Sequence, residues 1–171
     1  MKIKYLIPSL IGFIAVVVIG IFVIMGGSNS KTVVEKFLKT YYTVENSDLY
    51  NLMMNTVTKS EEIVADLKYK YNDYATDKAI NQAIANRVIL EGEELAVEKD
   101  CTISLKSMEL TKGVDSLNGD FAYTYVAKIL VKYFDNTIKE ISLNGYLLMT
   151  EDNGKWKVAV FPKKGWSADV A

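Results

Sequence analysis

The chain of 171 residues contains no histidine, one cysteine and two prolines. Without histidine it lacks the side chain that most often acts as a general base or as a metal ligand. The single cysteine, Cys101, excludes both an intramolecular disulfide and a cysteine-rich zinc site. Since no histidine is present to activate its thiol, we expect Cys101 to be a small buried side chain at the start of a strand. The sequence therefore predicts a protein that is not an enzyme and that holds no metal or other cofactor.

The chain also has no marked excess of charge of either sign. It contains 20 lysines and arginines and 21 aspartates and glutamates, for a net charge of −1. Proteins that bind nucleic acids usually present a basic surface, so we expect no nucleic-acid partner. Half of the residues are hydrophobic, which is typical of a chain with a folded core. The length predicts one domain with at most one accessory segment.

One long apolar run stands out in residues 6–25, which contain no charged side chain. A helix of this length spans about 30 Å, the thickness of the hydrocarbon core of a bilayer. Lys2 and Lys4 precede the run, and positive charge favours the cytoplasmic side. The sequence predicts a cytoplasmic tail over residues 1–5, a transmembrane signal anchor over 6–25 and a linker over 26–30. The remainder is expected outside the plasma membrane, with the lipid bilayer as a partner.

A cleaved signal peptide is the alternative interpretation of this run. The apolar stretch is longer than the hydrophobic region of a typical signal peptide, and no small-x-small cleavage site follows it. We therefore favour an uncleaved anchor with a single membrane pass.

Helices are predicted directly after the linker. Thr32 and Glu35 fit a capping box, and apolar residues then recur at helical spacing over Val34, Phe37, Leu38, Tyr41 and Tyr42. A second capping box, at Thr58 and Glu61, precedes a helix with an apolar side formed by Ile63, Leu67 and Tyr71. A further helix is expected from Asp77 to about Arg87.

From about Leu95 the period of the pattern changes to two, which indicates strands. Strands are predicted over residues 102–110, 121–133 and 138–149, with turns near Gly119 and at Asp135–Asn136. The Asn153–Gly154 pair is a strong hairpin signal and returns the chain into a strand that carries Trp156. Helices followed by an antiparallel meander of about four strands predict an α+β fold with the helices packed on one face.

This order of elements, with the closing sequence NGKWKVAV at residues 153–160, resembles the nuclear transport factor 2-like (NTF2-like) fold of the cystatin-like superfold. In that family a final strand with a similar tryptophan motif completes a curved sheet wrapped around a helix. The resemblance covers residues 31–164 and leaves residues 165–171 as a C-terminal tail. The segment LEGEELAV at residues 90–97 has no counterpart in it.

A membrane anchor directly before such a domain is similar to the VirB8-like components of conjugation and type IV secretion machines, including those of Gram-positive bacteria. The resemblance implies a non-catalytic extracytoplasmic module that associates with itself and with other subunits of a membrane channel. Two alternatives stay open. One is a protein that binds or converts a small apolar ligand near the membrane, and the other is a membrane-associated immunity or stress factor.

Members of the fold often enclose a pocket under the sheet. Here its wall would consist of aromatic side chains from three strands: Phe121, Tyr123, Tyr125, Tyr146 and Trp156. Aromatic residues at period two are also typical of an ordinary core, which is the competing interpretation. Asp120 and Glu140 are carboxylates that lie in or beside strands, and we expect neither to be catalytic, since one follows a turn and the other faces solvent.

Two oppositely charged stretches of the sequence remain. Acidic side chains are concentrated between residues 91 and 100, and basic side chains at Lys155, Lys157, Lys163 and Lys164. Such patches steer subunit assembly in some proteins, although ordinary solvated surface is the interpretation that we prefer.

Overall fold

A computed structural model describes residues 29–45, 60–115, 119–162 and Trp166. In this part of the chain the helices are α1 (Ser30–Tyr41), α2 (Ser60–Tyr71), α3 (Asp77–Ala85) and α4 (Glu91–Lys99), with a 3-10 turn at Val88–Leu90 before α4. The strands are β1 (Cys101–Asp115), β2 (Phe121–Tyr133), β3 (Ile138–Asp152) and β4 (Lys155–Val160). They form one antiparallel sheet in the order β1-β2-β3-β4. The prediction of an α+β fold with a four-stranded antiparallel sheet is therefore confirmed for this part.

The predicted anchor over residues 6–25 lies outside the described residues, as do Lys2, Lys4 and the tail over 1–5. Of the tail over 165–171 only Trp166 is described. Among the described residues, no helix has both the length and the apolar character that a membrane crossing needs.

Helix α1 buries the predicted apolar face: Val34, Phe37, Leu38, Tyr41 and Tyr42. The predicted cap at Thr32 is wrong, because the capping residue is Asn29 and the helix already begins at Ser30. The side chain of Asn29 accepts a hydrogen bond of 3.1 Å from the backbone N–H of Lys31, and asparagine is among the best capping residues. Ser30, which the sequence predicts as part of the linker, is thus the first residue of α1.

Helices α2 and α3 also follow the sequence pattern. Ile63, Leu67 and Tyr71 are buried on one side of α2, as predicted, whereas the capping residue proposed at Thr58 lies outside the described residues. Helix α3 is capped by Thr76, whose hydroxyl accepts a hydrogen bond from the N–H of Ala79.

Helix α4 corrects the sequence prediction, which had the strand pattern begin near Leu95. The chain stays helical to Lys99, and Asp100 then turns it sharply with a φ of 49°. Acidic side chains in the first turn of α4 and a lysine in its last turn stabilise the helix, because their charges complement the helix dipole. Cys101 begins β1 as predicted but is only partly buried, because it packs against the core on one side and lines an open cleft on the other.

The sheet has a buried inner face and a solvated outer face. Alternate residues of β2 are buried as the pattern predicted: Phe121, Tyr123, Tyr125, Ala127, Ile129 and Val131. The register of β1 shifts between Leu105 and Ser107 and again between Lys112 and Asp115, and that of β3 shifts between Leu148 and Met149. Irregularities of this kind strengthen the twist of a sheet. Helix α1 contacts both β1 and β4, which places it across the inner face.

The edge strands are each partly covered by a backbone bridge. Val44 exchanges two hydrogen bonds with Ile103 of β1, and the segment at Ala75 pairs in parallel with Val158 of β4. The β3–β4 hairpin turns at Asn153 and Gly154, both with positive φ, which confirms the predicted two-residue turn.

An aromatic cluster fills the core between α1, α2 and the end of the chain. The rings of Phe37 and Phe161 each pack against those of Tyr41 and Tyr71 and against each other, with centroid distances of 4.9 to 6.1 Å. Trp166 completes the cluster by packing edge-on against Tyr42 and close to Tyr41. The C-terminal tryptophan is therefore part of the core, which the sequence pattern did not indicate.

Candidate functional site

The five residues predicted to line a pocket do not all lie on the same face of the sheet. Phe121, Tyr123 and Tyr125 are buried on the inner face, and Trp156 is partly buried beside them. Tyr146 is 54% exposed and pairs across the strands with the exposed Thr124 of β2. Because side chains alternate between faces, Tyr146 lies on the outer face and its assignment to the pocket is wrong.

Tyr125 occupies the middle of the inner face. Its ring lies over Gly145, the residue directly opposite on β3, where an added Cβ atom would come within 2.3 Å of the Tyr125 oxygen. The hydroxyl of Tyr125 reaches the hydroxyl of Tyr42, next to the end of α1, at 2.7 Å. The glycine thus lets the ring fold flat across the sheet, and protein atoms fill the space where a ligand would lie.

The other inner aromatics are held by neighbours as well. The Tyr123 hydroxyl lies 3.4 Å from the hydroxyl of Ser30 at the start of α1. The ring of Phe121 packs edge-on against Tyr123 and against Trp156, with centroid distances of 5.6 and 4.8 Å. These contacts favour the core interpretation for Phe121, Tyr123 and Tyr125.

The buried tyrosines are poor general acids or bases near neutral pH. Burial raises the pKa of Tyr125 to about 12, and burial together with the neighbouring Tyr125 raises the pKa of Tyr42 still further. Burial likewise raises the pKa of Tyr41 and Tyr71. Their hydroxyls stay neutral and serve as hydrogen-bonding groups, as in the contact between Tyr41 and the backbone oxygen of Val88 at 3.2 Å.

The two carboxylates considered as bases lie at the surface. Glu140 accepts a hydrogen bond from Lys106, which lowers the pKa of its carboxyl group and keeps it ionised. Asp120 lies at the entrance of β2, on the rim of an open cleft. A general base at neutral pH needs a raised pKa and a place beside the substrate, and the geometry of Glu140 offers neither.

That cleft, with a volume of about 380 Å³, lies at the end of the sheet where β2 begins. It is lined by Lys112, Asp120, Phe121, Thr150, Glu151 and Trp156. Two of the five predicted pocket residues, Phe121 and Trp156, therefore border a space that a ligand can reach. The space opens at the edge of the inner face instead of beneath it.

The outer face of the sheet presents apolar side chains to solvent. We define this outer patch by five residues on β2 and β3, all at least partly exposed: Val126, Leu130, Ile138, Tyr146 and Leu148. Charged side chains of both signs lie among them, with Glu109 opposite Val126 and Lys128 one row further along β2. The outer face is thus a mixed surface of apolar and charged side chains.

The acidic stretch before β1 is partly structural. Glu93 is buried and forms an ion pair of 3.2 Å with Lys70 of α2, which ties α4 to α2. Burial raises the pKa of Glu91, whose carboxylate also lies close to Glu94. Gly92 accommodates the ring of Trp166, since an added Cβ atom would lie 2.8 Å from it. Sequence reasoning missed these roles, and a glycine between two glutamates was their one visible signal.

No three cysteine, aspartate or glutamate side chains within the described part of the chain lie close enough together to hold a metal ion. No protein-family model, curated protein or solved structure matches the chain.

Proposed function

We propose that the protein is a membrane-tethered, non-catalytic binding module with an NTF2-like fold that associates with other proteins through the outer patch of its sheet. Within that proposal, a VirB8-like subunit of a conjugation or secretion channel is the specific assignment. The tether is the apolar run over residues 6–25, which would hold the folded domain against the outer side of the plasma membrane.

The observation that carries the proposal is the placement of Tyr146. This side chain was expected inside a pocket, yet it lies on the solvated face among Val126 and other apolar residues. Tyrosine supplies a large contact area with little loss of conformational freedom, and it is enriched where proteins bind one another. Tyr125, by contrast, fills the inner face and leaves little room there for a substrate.

A second copy of the chain is the partner that the charges of this face favour. Glu109 and Lys128 are exposed on adjacent rows of the outer face, on neighbouring strands. A twofold axis that lies in the interface at Val126, midway between the directions of Glu109 and Lys128, would bring the glutamate of one copy close to the lysine of the other. Isologous contacts need this kind of self-complementary surface.

Crosslinking in intact cells tests the proposal. A photoreactive amino acid at position 146 of the full chain is expected to capture a second copy of the protein or a membrane channel subunit. Tyr69 is the matched control, because it is a tyrosine exposed at 82% on α2, away from the sheet. Capture at both positions alike, or at neither, would contradict the proposal.

A charge exchange tests the self-association separately. Glu109→Lys and Lys128→Glu are each expected to weaken crosslinking between copies, because like charges then oppose each other in the interface. The double variant restores the complementary arrangement and should recover the signal. If the double variant is as weak as the single variants, the twofold pairing is wrong.

A further inference from the structure

The open cleft at the start of β2 has the chemistry of a cation site. Two aromatic rings, Phe121 and Trp156, meet there at a centroid distance of 4.8 Å. Asp120 and Glu151 border the same space, and neither carboxylate forms an ion pair or a side-chain hydrogen bond with any part of the chain that the structure describes. Aromatic faces combined with carboxylates attract organic ammonium groups.

The protein itself already places one ammonium group in this cleft. The Nζ atom of Lys112 lies over the ring of Phe121, 4.0 Å from its centroid. The other ring, that of Trp156, lies directly opposite Glu151 in the β3–β4 register and is only partly buried. Two carboxylates against one lysine leave the lining with an excess of negative charge. A second cation would therefore settle between the indole of Trp156 and Glu151.

The cleft also lies at the end of the domain where the chain enters from its N-terminal segment. Ser30 begins α1 and touches the hydroxyl of Tyr123, which is two positions along β2 from Phe121. The opposite end of β2, at Tyr133, is about 35 to 40 Å away at the rise of a strand. The residues between 25 and 30 extend to no more than about 18 Å. If residues 6–25 cross the bilayer, the cleft is the part of the sheet nearest to the lipid headgroups.

We infer that this cleft, bordered by Lys112, Asp120, Phe121, Glu151 and Trp156, binds an alkylammonium group, with the amine of a phospholipid headgroup as the favoured source. The cleft volume of about 380 Å³ is within the range of small-molecule sites and exceeds what one ammonium group needs. Thr150 offers a hydroxyl on the same lining for a neighbouring phosphate or alcohol. Only the lipid source rests on the proposed membrane tether, because the ammonium chemistry follows from the lining itself.

The test uses the full chain reconstituted in nanodiscs and follows tryptophan fluorescence. Nanodiscs of phosphatidylglycerol with phosphatidylethanolamine are compared with nanodiscs of phosphatidylglycerol alone. In a separate arm, soluble ethanolamine is titrated into the protein in the second kind of nanodisc. The chain has two tryptophans, and Trp166 is buried, so the Trp156→Phe variant identifies the signal of the cleft.

Substitutions of opposite sign then test the role of charge. Glu151→Gln is expected to weaken ethanolamine binding roughly two- to five-fold, and Lys112→Gln to strengthen it by a similar factor, because one removes an attractive and the other a repulsive charge. Glu62→Gln, an exposed glutamate of α2, serves as the control and should change nothing.

Each outcome has a defined meaning. A signal that depends on phosphatidylethanolamine supports a lipid source, and a signal from soluble ethanolamine alone supports the same site with a free amine as its ligand. No response in either arm, or the same affinity for Glu151→Gln and Lys112→Gln, overturns the inference. Crosslinking from position 146 reports on the outer patch, so it can succeed when this test fails, and the reverse.

Discussion

The hydroxyl groups of Tyr42 and Tyr125 lie 2.7 Å apart inside the core and join the end of α1 to the middle of β2. Both rings are buried, and the hydrogen bond between them links the helical layer to the sheet. Removing one partner of a buried hydrogen bond leaves the other polar group unsatisfied, and this lowers stability more than replacing both partners does. The pair therefore makes α1 and the sheet depend on each other.

A double-mutant cycle on this pair should show strong coupling. Tyr42→Phe and Tyr125→Phe are each expected to lower the free energy of unfolding by about 1–3 kcal/mol, because each leaves one buried hydroxyl without its partner. The double variant should be less destabilised than the sum of the two, as measured by urea denaturation. Strictly additive losses would show that the two hydroxyls do not depend on each other.

Gly145 is predicted to tolerate no side chain. Gly145→Ala places a methyl group within 2.3 Å of the Tyr125 oxygen and should lower the free energy of unfolding by about 1–3 kcal/mol through overpacking. Tyr125→Phe in the same chain removes that oxygen and should relieve part of the loss. Ser142→Ala, on the exposed face of the same strand, is the control and should be nearly neutral in the same urea titration.

The ion pair between Lys70 and Glu93 is expected to hold α4 against α2. Lys70→Met leaves the buried carboxylate of Glu93 unpaired and should lower the free energy of unfolding by about 2 kcal/mol, reduced from the value of a fully buried pair because Lys70 is partly exposed. Lys68→Met removes an exposed lysine of the same helix and should have little effect on the thermal midpoint. Equal losses of stability in the two variants would show that the effect comes from the overall charge and not from the ion pair.

The carboxyl group of Glu91 is expected to make the free energy of unfolding depend on pH. Burial raises the pKa of its carboxyl group above the value of 4.5 in the unfolded chain, so the folded state binds the proton more tightly. The contribution of Glu91 therefore becomes more favourable as the pH falls from neutral through the raised pKa, and it levels off below 4.5.

Glu91→Gln should remove this dependence and raise the stability at neutral pH. The measurement compares urea midpoints of the variant and the unchanged chain at neutral and mildly acidic pH. Glu62→Gln, which removes the same charge from an exposed position of α2, is the control. An unchanged pH profile in the Glu91 variant would show that its carboxyl group is not the source.

Much of the fold was predictable because local patterns carry it. The alternation from Phe121 to Val131 and the turn at Asn153 and Gly154 depend on period and backbone conformation, which the sequence displays directly. The segment from Leu95 to Lys99 was not predictable in this way. Its short helix ends within a few residues of a strand, and a change of period needs several residues before it becomes visible.

The candidate site was less predictable than the fold. The sequence predicts Tyr146 on the inner face with the other aromatic side chains, whereas its pairing with Thr124 places it on the outer face. Trp166 and Tyr42 meet only after α1 has folded against the end of the chain. Contacts between residues this far apart depend on how elements pack, and no local pattern records them.

The sequence by itself determined the apolar run over residues 6–25, the order of α1 to α3 and of the four strands, the buried face of β2 and the absence of histidine chemistry, since each follows from composition or from a short-range period. Only the tertiary structure decided that Tyr125 fills the inner face over Gly145, that Tyr146 faces solvent and that Phe121 and Trp156 border an open cleft. The physical reason is that register and packing fix which side chains share a space, and both are set by contacts across the whole sheet.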